Sequence, residues 1–216
     1  MKLKVMLLIY LLSISAPVMA IVINLPSDFN ILLSEQNSTS LYFYSEPGDY
    51  IGQGHEWSYK QGDGDFWIGF NLDNGVAFRF NNSRYVPFGE SVTWTTDFAA
   101  ALEEGLQVGY YENATRFPFQ DFNSNGLNIS GDGRGSNRLG GHFEILEILL
   151  GPEDTVMRFD ALFVQYSENE SAMGTPALFG RVRYNSNFQV IPEPSSILLF
   201  CMGSIGLLIF RKIKNG

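Results

Sequence analysis

The sequence contains little basic charge. Its 216 residues carry a formal net charge of −9. Between residues 21 and 190, nine lysines and arginines stand against twenty-two acidic residues, and Lys60 is the only lysine there. Proteins that bind nucleic acids need clusters of lysine and arginine to neutralise phosphates, so this composition argues against a nucleic-acid partner.

Cysteine is almost absent. Cys201, the only one, lies in an apolar run near the carboxyl terminus, so residues 21–190 have no disulfide, no thiolate nucleophile and no cysteine-based metal site. The two histidines, His55 and His142, have no second histidine or cysteine nearby at metal-ligand spacing. We therefore expect no cofactor, apart from a weak match to a calcium loop.

The first twenty residues have the pattern of a signal peptide. Lys2 and Lys4 precede an apolar stretch at 5–12, and small residues lead to Ala20. This order predicts export and cleavage by signal peptidase after Ala20. A domain of about 170 residues, 21–190, then remains, which is long enough to form its own core.

Residues 191–216 combine a proline-glutamate motif, an uncharged run and a basic tail. These are Pro192, Glu193 and Pro194, then residues 195–210, then Arg211, Lys212 and Lys214. At about 1.5 Å per residue, a helix over the run falls just short of a ~30 Å hydrocarbon core. The basic tail favours the cytoplasmic side, which predicts a short transmembrane helix that holds the preceding domain outside.

In these three features the carboxyl terminus resembles the PEP-CTERM sorting domain. The resemblance implies a Gram-negative bacterium that makes exopolysaccharide, and recognition of Pro192, Glu193 and Pro194 by a membrane-embedded exosortase. Cleavage near this motif would follow a transient stay at the inner membrane. The expected destination is the cell surface or the extracellular matrix, and the expected partners are signal peptidase, an exosortase-type enzyme and exopolysaccharide.

Strand-like alternation runs through residues 21–190. Apolar residues alternate across 66–72 and 76–80, around Asn74-Gly75, which predicts a hairpin whose two turn residues take positive φ. A second hairpin is expected between 143–150 and 155–166, and the glycine-rich stretch 126–141 is expected to be a surface loop. No helical periodicity of helix length occurs between the termini. We predict an all-β, antiparallel, jelly-roll-like β-sandwich, favoured over a closed barrel.

Four stretches of residues 21–190 resemble a set of uncharacterised secreted bacterial proteins: SEPGDYIGQG, YENATRFPFQ, GDGRGSN and PALFGRVRYN. In that set, cysteines placed to form a disulfide stand at the positions of Ser136 and Ser167. The resemblance implies that these two serines lie close together. It also implies that the core is stable without the few kcal/mol that a disulfide typically contributes.

One loop matches much of the spacing of a calcium site: Asp121, Asn123, Asn125 and Asp132, with Gly126 at the turn. Oxygen ligands at alternate positions and a turn glycine are what such a loop needs. However, the twelfth residue is aspartate instead of glutamate, and flanking helices are missing. A chance match in a loop rich in asparagine and glycine is the favoured alternative.

Aromatic and acidic residues raise two further possible functions, sugar binding and sugar hydrolysis. Trp57, Tyr59 and Trp67 are candidates for stacking on sugars, with core packing as the alternative. Glu144 and Glu147 share a predicted strand, and their odd spacing sends them to opposite faces unless a bulge intervenes. The leading hypothesis is an exported, non-enzymatic surface or matrix protein. A carbohydrate-binding module is the first alternative and a secreted hydrolase the second.

Overall fold

The computed structural model describes residues 37–168 and 176–188. They form ten strands: β1 Ser38–Ser45, β2 Glu56–Lys60, β3 Asp65–Phe70, β4 Val76–Asn81, β5 Thr93–Ala99, β6 Gly109–Arg116, β7 Gly126–Gly131, β8 Leu139–Leu150, β9 Val156–Ser167 and β10 Ala177–Ser186. Two short 3₁₀ turns occur at Ala101–Glu103 and Pro152–Asp154. In this part of the chain no helix is long and apolar enough to cross a membrane. The all-β prediction is confirmed.

All ten strands belong to one hydrogen-bonded sheet, in the order β2-β1-β10-β9-β8-β6-β7-β5-β4-β3. Neighbours pair antiparallel except β6 and β7, which pair parallel, so the sheet is mixed. The prediction of a sandwich implied two sheets and antiparallel pairing throughout. The structure differs because β8, β6 and β7 join the two halves through continuous hydrogen bonding.

The sheet curls until the inner faces of its two ends pack against each other. Phe43 of β1 meets Trp94 of β5 edge to face, with ring centroids 4.5 Å apart. Tyr59 of β2 stacks on Phe80 of β4 at 4.1 Å. Such aromatic pairs bury large apolar areas and add about 0.5–1.5 kcal/mol each beyond that burial. The core therefore lies inside the curl, and the outer faces of the two halves point away from each other.

Both predicted hairpins are present, as β3–β4 and β8–β9. In the first, Asn74 takes the expected positive φ of 54°, but Gly75 does not. The expectation of two positive φ values was therefore wrong for Gly75. Glycine is needed there for another reason: a Cβ atom at this position would collide with the carbonyl oxygen of Phe98 in β5.

The stretch 126–141 had been expected to be a surface loop, but only residues 132–138 lie between strands. Its first six residues form β7, and β8 begins at Leu139. Leu127 and Ile129 are fully buried, whereas Asn128 and Ser130 face outward. The polar residues at alternate positions made this strand look like a loop, because only two apolar side chains mark its inner face.

A buried side chain completes the pairing of β7. The ladder between β6 and β7 contains only Thr115 and Arg116 on the β6 side. Further along, the Gln165 side chain takes the place of a strand: Ile129 N–H donates to its Oε1 at 2.7 Å, and its Nε2 donates to the Ile129 carbonyl at 3.0 Å. Buried backbone groups need such partners, so Gln165 permits β6 to diverge.

Candidate functional site

The outer face of β3, β4, β5 and β7 carries one aromatic ring among polar side chains. We call it the Trp67 face. Strand register aligns its outward residues in rows, since Trp67 pairs with Arg79, Arg79 with Thr95, and Thr95 with Ser130. The other outward residues are Asp65, Asn81, Thr93, Asp97 and Asn128. The inward residues of the same strands fill the core, which leaves mostly polar side chains on this face.

Trp67 is the exposed ring of this face. Its side chain is 51% exposed, and the ring lies along its own strand over Gly69. A Cβ atom on Gly69 would sit 2.7 Å from two ring carbons, so glycine is what lets the ring lie down on the sheet. The guanidinium carbon of Arg79 is 5.5 Å from the ring centroid, within the range of a cation–π contact.

Asp97 is the acid of this face with the shifted pKa. It is only 7% exposed, and burial raises its pKa from 3.8 to about 6. The charge of Arg79 and hydrogen bonds from Asn128 and Asn71 lower the pKa and oppose this shift. Asp97 therefore carries a carboxylate that is largely ionised at neutral pH, beside a cation and two amides.

Two hydrogen bonds order the rim of the face. Asn81 Nδ2 donates to Thr93 Oγ1 at 2.7 Å, across β4 and β5. The Tyr85 hydroxyl donates to Asp65 Oδ1 at 3.0 Å, which leaves the half-exposed tyrosine ring beside the first residue of β3. The face thus combines a flat apolar ring with fixed donors and acceptors, a combination that suits polyhydroxylated ligands.

The other proposed sugar-stacking residues are on the inner face. Trp57 and Tyr59 are partly buried against the core, and Trp94 is fully buried. The guanidinium carbon of Arg134 lies 6.0 Å from the Trp57 ring and 5.7 Å from the Trp94 ring, while its Nε donates to the Ile51 carbonyl at 2.7 Å. These rings pack the core, so Trp67 is the one ring of the predicted three that is offered to solvent.

The predicted calcium loop is divided by a strand. β7 separates Asn125 from Asp132 by about 20 Å of extended chain at ~3.3 Å per residue. Asn125 holds the loop, because its Oδ1 accepts from the Ala101 N–H and its Nδ2 donates to the Glu112 carbonyl. Asp132 pairs with Arg134 at 2.9 Å.

The four predicted ligands therefore do not surround one point. Asp121 lines a cleft with Asp73 and Glu103 instead, and Asn123 lies in an exposed turn. Within residues 37–168 and 176–188 no group of three or more acidic, histidine or cysteine side chains is placed to hold a metal ion.

Ser136 and Ser167 lie on neighbouring segments. Ser167 pairs with Leu139 at the start of β8, and Asn137 N–H donates to Glu168 Oε1 at 2.6 Å. Both serine hydroxyl oxygens are buried, and neither has a hydrogen-bond partner among the described residues. A buried pair of unsatisfied hydroxyls is compatible with positions suited to thiols, but the implied disulfide geometry stays a prediction.

Glu144 and Glu147 lie on the same face, because a bulge overrides their odd spacing. A β-bulge between Ile145 and Glu147 shifts the register, so that Glu144 pairs with Leu162 and Glu147 with Asp160, both on the outer face. Burial raises the pKa of Glu144. Glu147 is occupied, because it accepts hydrogen bonds from the backbone after β10.

Sequence reasoning missed Arg79, Asp97 and Asn128 as members of a site. Because Phe78, Phe98 and Leu127 are buried, strict alternation would have placed each of these three polar residues on the outward side of its own strand. Alternation does not give the order of strands in the sheet, and β5 and β7 are neighbours although β6 lies between them in sequence.

The sorting residues Ala20, Pro192, Glu193, Pro194, Arg211, Lys212 and Lys214 lie outside the described residues. Residues 190–212 match the family model of the PEP-CTERM protein-sorting motif. No curated protein and no solved structure matches the chain. The likeness of residues 21–190 to uncharacterised secreted proteins therefore stays a prediction. The chain thus carries a PEP-CTERM sorting motif, which implies an exported protein targeted to an exosortase-type processing enzyme.

Proposed function

We propose that this protein is an exported, non-enzymatic component of the cell surface or exopolysaccharide matrix, and that it binds polysaccharide through the Trp67 face. The observation that carries the proposal is the exposed Trp67 ring, lying along the sheet over Gly69 and beside Arg79. In this proposal signal peptidase cuts after Ala20, residues 195–210 hold the chain in the inner membrane, and an exosortase-type enzyme then cuts near Pro192–Pro194.

The chemistry of the face fits a sugar polymer. The C–H faces of a sugar ring pack on a flat aromatic ring, and Trp67 presents one with half of its surface exposed. Arg79 and the hydroxyl groups of Thr95 and Ser130 in the same row supply hydrogen-bond donors and acceptors for sugar hydroxyl groups. Small ligands prefer concave pockets. The outer surface of a sheet therefore favours an extended chain over a small molecule.

On the two outer faces of the sheet, carboxylate spacing favours a binding role over the hydrolase alternative. Glycosidases place two carboxyl groups about 5–9.5 Å apart. On the Trp67 face the carboxylates are Asp65 and Asp97, two strands and four residues apart, which corresponds to roughly 16 Å between their backbones. On the other half, Glu147 pairs with Arg158 and binds backbone N–H groups, which keeps it from acting with Glu144.

Binding of the processed protein to the producing organism's exopolysaccharide and to a glycan array tests the proposal. We expect saturable binding that weakens at least tenfold in Trp67→Ala. Tyr50→Ala is the matched control, since Tyr50 is equally exposed but lies in the connection between β1 and β2. Equal binding by wild type and Trp67→Ala would move the site elsewhere, and no binding at all would overturn the sugar-binding role.

Two added measurements separate the remaining alternatives. We expect chelation with EDTA to leave binding unchanged, because Asp121 and Asp132 do not converge. Release of reducing ends from the polysaccharide by the wild-type protein would contradict the non-enzymatic role and return the hydrolase alternative. Immunolabelling of cells with and without polysaccharide synthesis tests the matrix location, since a matrix protein loses its place when the polymer is missing.

A further inference from the structure

The last described residues of the domain are held against the sheet. Ser186, Asn187 and Phe188, which we call the stem, lead from β10 toward the sorting motif. The Glu147 carboxylate accepts hydrogen bonds from the N–H groups of Asn187 and Phe188 at 2.9 and 3.1 Å, and its Oε2 lies 2.9 Å from the Ser186 hydroxyl oxygen. Asn187 Oδ1 in turn accepts from the Asn37 N–H at 2.9 Å. The stem is thus clamped between β8 and the start of β1.

A buried ion cluster supports this clamp. Asp160 is fully buried and pairs with Arg181 at 2.7 and 2.8 Å and with Arg183 at 3.1 Å. The same carboxylate accepts from the Ser186 hydroxyl at 2.6 Å, and Arg183 donates to the Phe188 carbonyl at 3.2 Å. Charge-assisted hydrogen bonds are stronger than neutral ones. The cluster therefore fixes both the position and the direction of the stem.

Exposed apolar side chains gather at the end of the sheet from which the stem leaves. Asn185 donates to the Met157 carbonyl, which places the stem beside the β8–β9 connection. Gly109 pairs with Ile145, so the start of β6 is at this end too. Among the twelve exposed large apolar residues of the described chain, Leu149, Leu150 and Met157 flank the β8–β9 connection, Leu102 and Val108 lie in the β5–β6 connection, Leu72 in the β3–β4 turn and Phe122 in the β6–β7 connection.

We call this region the stem end. Its loops are tied to one another, since Asn74 Nδ2 donates to the Glu103 carbonyl at 3.0 Å and Leu102 N–H donates to the Phe122 carbonyl at 2.7 Å. The apolar residues therefore belong to connected loops. A concentration of exposed apolar side chains at one end marks an interaction surface, whereas scattered single residues need no explanation.

Covalent distance limits how far this end can be from a membrane. Residues 189–194 separate Phe188 from the uncharged run that begins at Ser195. Even fully extended, seven steps of at most ~3.6 Å span only about 25 Å. While residues 195–210 are inserted, the stem end is therefore the part of the domain nearest to the lipid surface.

We propose that the stem end is a membrane-facing surface. Before the sorting segment is cut, its apolar side chains rest on the phospholipid surface, and the Glu147 clamp holds the domain in that orientation. This inference rests on the proposed insertion of residues 195–210. Apolar side chains at a lipid interface leave water without needing a protein pocket, as in interfacial membrane binding.

The charge of the stem end specifies the lipid. Asp73, Glu103, Asp121 and Glu153 are acidic neighbours of the apolar residues. Anionic lipids attract basic segments and repel acidic ones. Contact is therefore through apolar side chains on zwitterionic lipid, and we expect it to weaken as anionic lipid is added.

Lipid quenching of the full chain in phosphatidylcholine nanodiscs tests the proposal. A bimane probe is attached at Leu150→Cys in a Cys201→Ser background, and doxyl-labelled phosphatidylcholine is the quencher. We expect at least twofold quenching at position 150, with less quenching when phosphatidylglycerol replaces half of the lipid. Tyr50→Cys is the matched control at the opposite end and stays unquenched. Equal, weak quenching at both positions would overturn the proposal, including the case in which a processing enzyme covers this surface instead.

Two further variants separate the clamp from the insertion. Glu147→Ala frees the stem, so quenching at position 150 should fall toward the control value. Glu144→Ala, on the same strand but without contact to the stem, should leave it unchanged. Unchanged quenching in Glu147→Ala would show that the clamp does not orient the domain. A full chain that does not co-purify with nanodiscs would instead contradict membrane insertion, and sugar binding by the processed protein is independent of both outcomes.

Discussion

At the scale of single residues, Asp97 shows how an outward position on a strand acquires an unusual environment. Its neighbours on the sheet are Ala77 and Asn128, and it is 7% exposed although it points away from the core. Burial raises its pKa to about 6, and Arg79 limits the rise. Holding the charged form there at neutral pH costs stability, which is common for groups that serve in recognition.

Asp97→Asn should remove a pH dependence of stability. Because the folded pKa exceeds the unfolded value, the stability from Asp97 is fully present below about pH 4 and is lost as the pH rises through 6. Relative to wild type, the free energy of unfolding of Asp97→Asn should rise by about 2 kcal/mol from pH 4 to pH 7. Urea unfolding at both pH values measures it.

Asp65→Asn is the control for this measurement, since Asp65 is on the same face but half exposed. At pH 7 we expect this exposed position to tolerate the substitution with little change in the free energy of unfolding. A parallel stability profile of Asp97→Asn and wild type would contradict the raised pKa.

At the scale of elements, the β3–β4 hairpin is encoded by its own residues and by one distant contact. Asn74 supplies the left-handed residue of the turn. Asn71 Oδ1 accepts from the N–H groups of Asp73 and Gly75, and its Nδ2 donates to the Phe98 carbonyl in β5. Gly75 leaves space for the same carbonyl. The turn is therefore shaped by its neighbour strand as well as by its local sequence.

Gly75→Ala should destabilise the hairpin through this close approach. The added methyl group meets backbone that cannot move without disturbing β5, and such overpacking typically costs about 1–3 kcal/mol. Chemical denaturation measures the change in unfolding free energy. Gly105→Ala is the control, because Gly105 has no atom within 4 Å of the added Cβ and no positive φ. Equal stability of the two variants would show that the Phe98 carbonyl does not limit the turn.

At the scale of the whole molecule, the curl of the sheet depends on how its middle strands separate. β6 pairs with β7 over two residues and with β8 over a longer ladder that contains a bulge. Gln165 of β9 then reaches the backbone of Ile129 across the interior. The Gln165 side chain thus supplies the hydrogen-bond partners that β7 lacks where β6 diverges from it, and it links the two halves of the sheet.

Gln165→Met should destabilise the whole domain. Methionine has a similar volume but leaves the Ile129 N–H and carbonyl without partners, and each buried unsatisfied group costs about 1–3 kcal/mol. We therefore expect a loss of about 3 kcal/mol in unfolding free energy, measured by thermal or urea unfolding. Gln107→Met, at an exposed position, should change stability little. A small loss in Gln165→Met would mean that water replaces the amide.

Much of the fold was predictable from alternation, because a period of two is local. The hairpins β3–β4 and β8–β9 were found from their turns and flanking patterns. β7 was missed since only Leu127 and Ile129 mark its buried side. The site was predicted only through Trp67, because the partners Arg79 and Asp97 come from strands whose order in the sheet is not written in any local pattern.

The sequence by itself determined the sorting motif at residues 190–212 and the all-β class, since both depend on residue order and local periodicity. Only the tertiary structure decided that ten strands form one curled sheet and that Trp57 and Trp94 fill its interior while Trp67 lies outside. The physical reason is that alternation assigns side chains to two faces of a strand, whereas the closing of the sheet decides which face becomes the core.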